Sequence, residues 1–140
     1  MYERQDADRL LQRSALFFLF GFVAHTADHA RRTLHVLTEH VIWAGTMVSM
    51  LTAVILTLLV TRHRLGALFA AVGGFSIAIG VSATHLLPQW SAMSDPLPGG
   101  EVDAFTWIAV LLEVSGALAL GIAGLMVLRS ERPQLANMRS

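Results

Sequence analysis

The chain has 140 residues, which is enough for one domain, and its formal net charge is zero. Hydrophobic residues make up 54% of it and charged residues only 14%, a balance that is typical of a membrane protein and not of a soluble one. The arginines occur in small groups at the ends of apolar runs, which argues against a nucleic-acid partner and its continuous basic patch. The absence of cysteine excludes disulfides and thiolate metal sites.

Four apolar runs follow one another along the chain, each long enough to cross a bilayer as an α-helix. A polar lead-in over 1–13 precedes the first run, Thr38 can cap the second, and Pro88 stops the third. A polar tail follows the fourth. The predicted spans are approximately 14–30, 41–60, 65–87 and 104–128. We therefore expect an all-α fold, an integral membrane four-helix bundle that forms a single transmembrane domain over 1–140.

The distribution of arginine orients these spans. Four spans place both termini on one side of the membrane. Eight of the ten arginines lie in the N-terminal segment, the second connector and the tail, whereas the first and third connectors hold only Arg31 and Arg32. The positive-inside rule then predicts cytoplasmic termini (N-in/C-in) in the inner (plasma) membrane, with the first and third connectors outside.

The first span ends in an unusually polar stretch, Ala-His-Thr-Ala-Asp-His-Ala-Arg-Arg over 24–32. Ionisable groups at membrane depth are costly, so they usually face a partner, a cavity or a ligand. His25 and His29 are four residues apart, so both rings lie on one face of a helix, and Asp28 flanks that face. This stretch is the first wall of a predicted polar pocket.

His85 and Glu113 are predicted to complete the pocket, because both share a helix face with a stripe of small residues. At helical steps the stripes contain Ala67, Ala71, Gly74 and Ala78 before His85, and Ala117, Gly121 and Gly124 after Glu113. Membrane helices approach each other closely along such stripes. We therefore expect His85 and Glu113 to point into the bundle, on the same outer side as the first stretch.

A metal site is the sharpest hypothesis for this outward-facing His/Asp/Glu pocket. The predicted ligands are His25, Asp28, His29, His85 and Glu113. Imidazole and carboxylate are ordinary ligands of zinc, iron and similar divalent ions. Asp28 can instead orient an imidazole from behind, and Glu113 can act as a base on bound water. The H-x-x-x-H spacing alone is common, and the glutamate of the H-E-x-x-H protease motif is replaced by Thr26.

Two other functions compete with the metal ion. One is a b-type haem held between histidines of different spans, for instance His85 with either His25 or His29. The other is a proton or ion pathway through the histidine and carboxylate groups, which needs an oligomer because one small bundle offers little pore. The sequence leaves open whether the protein is an enzyme.

A purely structural role for the polar residues is the remaining alternative. Asp28 then pairs with Arg31 or Arg32 at the helix end, and Glu113 hydrogen-bonds a neighbouring histidine or threonine and fastens two helices together. The protein is in that case a non-catalytic accessory subunit of a membrane complex, or a homo-oligomer. The lipid bilayer is its expected partner under every hypothesis.

The third connector is predicted to form a polar lid above His85. Its prolines and glycines preclude regular helix and favour turns that fold the loop back over the bundle. Loops on rigid frameworks often carry ligand contacts. The lid residues are Gln89, Trp90, Ser91, Asp95, Glu101 and Asp103.

Two segments of the chain carry a resemblance. His25-x-x-Asp28-His29-x-Arg31-Arg32 and His85-Leu86-Leu87-Pro88-x-Trp90-Ser91 resemble a group of short four-span membrane proteins from actinobacteria. The resemblance covers most of the chain, from the first span to the fourth. It implies a four-span fold, and because that group has no assigned activity or ligand it implies no function.

Overall fold

The computed structural model describes residues 2–32, 38–98 and 102–137. The fold is all-α, as predicted. Its four helices are α1 (Tyr2–Arg31), α2 (Glu39–Val60), α3 (Gly66–His85) and α4 (Ala104–Asn137). All four are long and apolar enough to cross a membrane.

Two helices extend well beyond the predicted spans. Residues 2–13, predicted as a polar lead-in, are helical, and α4 continues to Asn137 through the segment predicted as a tail. Ala7 and Leu11 are buried and continue the inward face of α1 at helical spacing, while the charged side chains between them are exposed. In contrast, α3 is shorter than predicted. It ends at His85, two residues early, because Pro88 disfavours a helical conformation at the residue before it.

The fourth helix is the centre of the bundle. It packs against α1 and α3 along much of its length, whereas α2 packs mainly on α3. The outward face of α2 is correspondingly apolar and exposed: Trp43, Met47 and Met50 are 54–61% exposed. In a helix of this composition that face is suited to contact with lipid.

The small-residue stripes are faces of close packing, as predicted, and α3 and α4 meet along them. A Cβ atom built on Gly74 would lie 2.6 Å from the backbone nitrogen of Gly121 and 2.7 Å from the carbonyl oxygen of Ala117. One built on Gly124 would lie 2.6 Å from the backbone nitrogen of Ala71. The two backbones are therefore in direct contact, and any side chain at these glycines would force them apart.

A second close seam, which was not predicted from the sequence, joins α1 to α4. A Cβ atom on Gly21 would lie 2.6 Å from the backbone nitrogen of Glu113, and one on Gly116 would lie 2.7 Å from Cα of Phe18. His25 is one helical turn beyond Gly21 on the same face of α1. This seam consequently sets His25 beside Glu113.

Candidate metal centre

Three histidines from two helices meet at one end of the bundle. The ring centroids of His25 and His29 are 4.6 Å apart, those of His25 and His85 are 4.7 Å apart, and those of His29 and His85 are 5.5 Å apart. One ligand nitrogen from each ring lies within 4.8 Å of the other two. His25 and His85 are buried and His29 is half-buried.

Each helix contributes its histidines for a local reason. His25 and His29 are separated by one turn of α1, which stacks their rings on one face. His85 is the last residue of α3, where the helix is stopped before Pro88. The two glycine seams hold α1 and α3 against α4, and this packing brings the three imidazoles together at one end of the bundle.

Glu113 lies behind His25. Its Oε2 atom contacts Nδ1 of His25, and the two residues are 2% and 5% exposed, respectively. Because Nδ1 is engaged by the carboxylate, Nε2 is the nitrogen left for another partner. Among the described residues, Nε2 of His25 is buried and has no hydrogen-bond partner. A carboxylate on one ring nitrogen with the other nitrogen free for an ion is the usual arrangement around histidines that ligate metals.

His85 is oriented in a similar way by the loop that follows it. Its Nδ1 lies 3.0 Å from the carbonyl oxygen of Asp95 and 3.6 Å from Oδ2 of the same residue. A carbonyl oxygen only accepts hydrogen bonds, so Nδ1 of His85 donates and Nε2 is left as the possible ligand.

His29 differs from the other two histidines. Its Nδ1 lies 3.4 Å from a terminal nitrogen of Arg32. Arginine has no acceptor, so Arg32 donates and neutral His29 carries its proton on Nε2. His29 must give up this contact to bind an ion through Nε2. Its half-buried side chain makes it the easiest of the three to reorient.

The carboxylate of Asp28 pairs with two arginines. Its Oδ1 accepts hydrogen bonds from Arg31 at 2.8 Å and from Oγ1 of Thr106 at 3.1 Å, and its Oδ2 lies 3.0 Å from Nε of Arg32. The pairing of Asp28 with the neighbouring arginines, predicted as the structural alternative, is therefore confirmed. The structure thus gathers the three predicted histidines, sets the predicted Glu113 behind one of them, and engages Asp28 elsewhere.

The arginines link this site to the third connector. Arg31 also lies 2.8 Å from Oδ2 of Asp103, and Arg32 also lies 3.0 Å from Oδ2 of Asp95. The backbone N–H of Thr106, helped by Arg31, holds the pKa of Asp103 below its ordinary value. The network contains four carboxylates and two guanidinium groups, which is an excess of two negative charges when all six are ionised.

The loop after α3 folds back over His85, as predicted. The backbone N–H of Asp95 donates to the carbonyl of Thr84 at 3.0 Å, and that of Leu97 donates to the carbonyl of His85 at 2.8 Å. The indole of Trp90 donates to the carbonyl of Ala83 at 2.7 Å. The predicted lid residue Glu101 lies outside the described residues.

Thr106 was not among the predicted site residues. It reaches Asp28 because Asp103 caps the start of α4, accepting a 3.0 Å hydrogen bond from the backbone N–H of Thr106. An aspartate three residues before a threonine at the start of an apolar run is a recognisable helix N-terminus. That pattern would have placed Thr106 in the first turn of α4, on the outer side.

Comparisons with protein-family models, with curated proteins and with solved structures give no match for this chain. Its function is consequently argued from the site itself.

Proposed function

We propose that the protein is a multi-pass membrane protein that binds a divalent metal ion, zinc or iron, through His25, His29 and His85. The observation that carries the proposal is that ligand nitrogens of all three lie within 4.8 Å of one another. Around a tetrahedral ion with bonds of about 2.0–2.1 Å, the nitrogens are about 3.3 Å apart. The rings must therefore move so that their nitrogens approach one another by up to about 1.5 Å when the ion binds.

The groups behind the imidazoles support an ion at this position. Glu113 and the carbonyl of Asp95 occupy Nδ1 of His25 and His85, which aims Nε2 of both rings away from those partners. In this proposal Glu113 and Asp28 act from outside the ligand set. Glu113 positions His25, and Asp28 pairs with Arg31 and Arg32.

Charge balance also favours a divalent cation. The carboxylates around the histidines exceed the guanidinium groups by two, so an ion of charge +2 neutralises the network. An uncompensated charge is costly at the buried carboxylates Asp28 and Glu113, and a nearby cation lowers that cost, whereas Asp103 is half exposed and contributes less.

Three protein ligands leave a fourth coordination position. Structural zinc sites are usually closed by four protein ligands, whereas sites with three hold water or a small ligand in the fourth position. The proposed ion is thus able to accept an exogenous ligand and to act on it as a Lewis acid.

The packing of the rings favours an ion over haem. In a haem with two histidine ligands, the macrocycle lies between the two rings. Here all three imidazoles are in mutual contact, with centroids no more than 5.5 Å apart, and no slot for a macrocycle separates them.

We further propose that the termini are cytoplasmic, that the histidine site faces outward, and that the bundle lies in the plasma membrane. The start of α1, the α2–α3 turn and the C-terminal part of α4 carry seven of the ten arginines, and the positive-inside rule assigns that end to the cytoplasm.

Metal analysis of the detergent-purified protein tests the proposed site. We expect one equivalent of metal per chain in the wild type and its loss in His25→Ala and in His85→Ala. His40→Ala is the matched control, because His40 is exposed in the first turn of α2, and it should retain the metal. Equal metal content in all four proteins would reject the site.

Two further measurements separate loss of the ion from loss of the fold. A chelator should lower the melting temperature of the wild type and added metal should restore it, since a ligand of the folded state stabilises that state. The two histidine variants should fold but not respond. An absorption spectrum of the same sample tests haem, because a haem-loaded protein shows a Soret band.

A further inference from the structure

A large cavity lies at the other end of the bundle, away from the histidines. Its volume is about 530 Å³. One wall is the first part of α1, the opposite wall is the α2–α3 turn with the adjoining helix ends, and α4 contributes Val127 and Glu131. The helices that converge on the imidazoles therefore leave a gap at this end.

The lining of the cavity is basic. It contains four arginines, Arg4, Arg9, Arg62 and Arg64, against two carboxylates, Asp8 and Glu131. Glu131 already pairs with Arg4 at 3.2 Å. Within the described part of the chain, no carboxylate lies within ion-pairing distance of Arg62 or Arg64. These two adjacent cations are thus available to an anionic ligand.

The side chains of Arg62 and Arg64 are not required to hydrogen-bond the backbone of the α2–α3 turn. The backbone N–H of Arg62 donates to the carbonyl of Leu59, and that of His63 donates to the carbonyl of Leu58. The last turn of α2 is consequently capped by its own backbone. Arg62 has φ 52°, in the left-handed region where glycine is favoured. An arginine at a position suited to glycine points to a role for its side chain.

Apolar side chains form the deeper part of the same cavity. Leu58 and Leu59 line it from α2, Leu11 from α1 and Val127 from α4. A soluble anion makes no favourable contact with these apolar side chains. A phospholipid can contact both parts of the cavity, because its phosphate lies at the level of the charged helix ends and its acyl chains lie below them.

We propose that this cavity binds an anionic phospholipid. Arg62 and Arg64 contact the phosphate, to which guanidinium groups bind with paired hydrogen bonds, and one acyl chain lies against Leu58 and Leu59. The site is independent of the proposed metal centre, which lies at the opposite end of the bundle.

Lipid titration of the purified protein in a neutral detergent tests the proposal. The probes are phosphatidylglycerol and phosphatidylcholine, and the readouts are the dissociation constant from native mass spectrometry and the melting temperature. Wild type should prefer phosphatidylglycerol. The double variant Arg62→Gln/Arg64→Gln should bind it about 30-fold more weakly, since each arginine near the membrane surface contributes about a fivefold factor.

The control is Arg13→Gln/Arg129→Gln, which removes the same charge from exposed arginines that do not line the cavity. It should bind like the wild type. Equal losses in the two double variants would overturn the site, because they would indicate attraction by net charge alone. Equal stabilisation by soluble glycerol phosphate would overturn the assignment to a lipid. If the double variant does not fold, Arg64→Gln alone should show about the fivefold loss of one arginine.

Discussion

The three imidazoles of this site differ in the group that contacts Nδ1 of each ring. His25 has the Glu113 carboxylate, His85 has the Asp95 carbonyl, and His29 has the guanidinium of Arg32. Two of the three rings thus have an acceptor on Nδ1, which leaves Nε2 as the nitrogen that can bind an ion. The third has a donor there, so His29 should be the weakest ligand of the three and the one that moves most when an ion binds.

Glu113→Gln isolates the effect of the group behind His25. The amide has the same shape but holds no negative charge, so it fixes the imidazole less well and makes it a poorer ligand. We expect metal affinity to fall about 10–100-fold while the stoichiometry at saturation stays the same. Competition with a chelator of known affinity measures the change. Glu131→Gln, an exposed carboxylate at the opposite end, is the control, and unchanged affinity in Glu113→Gln would contradict the assigned role.

Asp28→Asn should act on stability more than on metal binding. Asp28 is fully buried, accepts hydrogen bonds from Arg31 and Thr106, and forms an ion pair with Arg32. Removing its charge weakens its interactions with two cations, and we expect a loss of about 1.5–3 kcal/mol in the free energy of unfolding. Titration with a denaturing detergent in mixed micelles measures it. Asp6→Asn, which removes an exposed carboxylate 3.9 Å from Arg9, should change stability little.

At the scale of helices, glycine seams decide where the site forms. Gly74, Gly121 and Gly124 bring α3 to backbone contact with α4, and Gly21 and Gly116 do the same for α1. Because both seams lie on α4, this helix sets the distance between the histidines of α1 and that of α3. A substitution in either seam should therefore change the distances between the imidazoles.

Two glycines of the same helix provide a matched pair of variants. Gly74→Ala places a methyl group 2.6 Å from the backbone of α4, and overpacking of this kind costs about 1–3 kcal/mol. Gly80→Ala meets no atom within 4 Å and should be neutral or stabilising by up to about 1 kcal/mol, the usual gain in helix propensity. Melting temperatures in detergent compare the two. A similar decrease in both would mean that the seam is not what limits stability.

The whole molecule has two chemically different ends. One end holds the histidines, the acidic network and the folded-back loop, and the other holds the basic cavity and most of the arginines. The two proposed ligands, a metal ion and an anionic lipid, follow this division. A membrane-protein partner or a second copy of the chain remains a prediction from the sequence.

The orientation of these ends in the membrane can be measured with single cysteines, because the chain has none of its own. His40→Cys and His63→Cys place one exposed thiol at each end. A membrane-impermeant maleimide should label position 40 in intact cells and position 63 only after the membrane is opened. The reverse pattern would invert the proposed topology.

Features that depend on neighbours along one helix could be predicted from the sequence. The four spans follow from runs of apolar residues, and the pairing of His25 with His29 follows from a spacing of one turn. The α3–α4 seam was also predictable, since stripes of small residues on both helices mark close approach. The helical lead-in before residue 14 was missed because its charged residues conceal the apolar face of Ala7 and Leu11.

Contacts between helices depended on tertiary packing. The spacing of three and four residues already predicted that Asp28 can pair with Arg31 or Arg32, but no pattern in the sequence indicated that Glu113 would engage His25 in particular. The seam of Gly21 with α4 settled that second pairing, and the proximity of α1 to the start of α4 added Thr106 to the partners of Asp28. Helix periodicity predicts on which side of its helix a residue lies. Only the packing of one helix on another determines which residues of the two sides lie at the same height along the bundle and so come into contact.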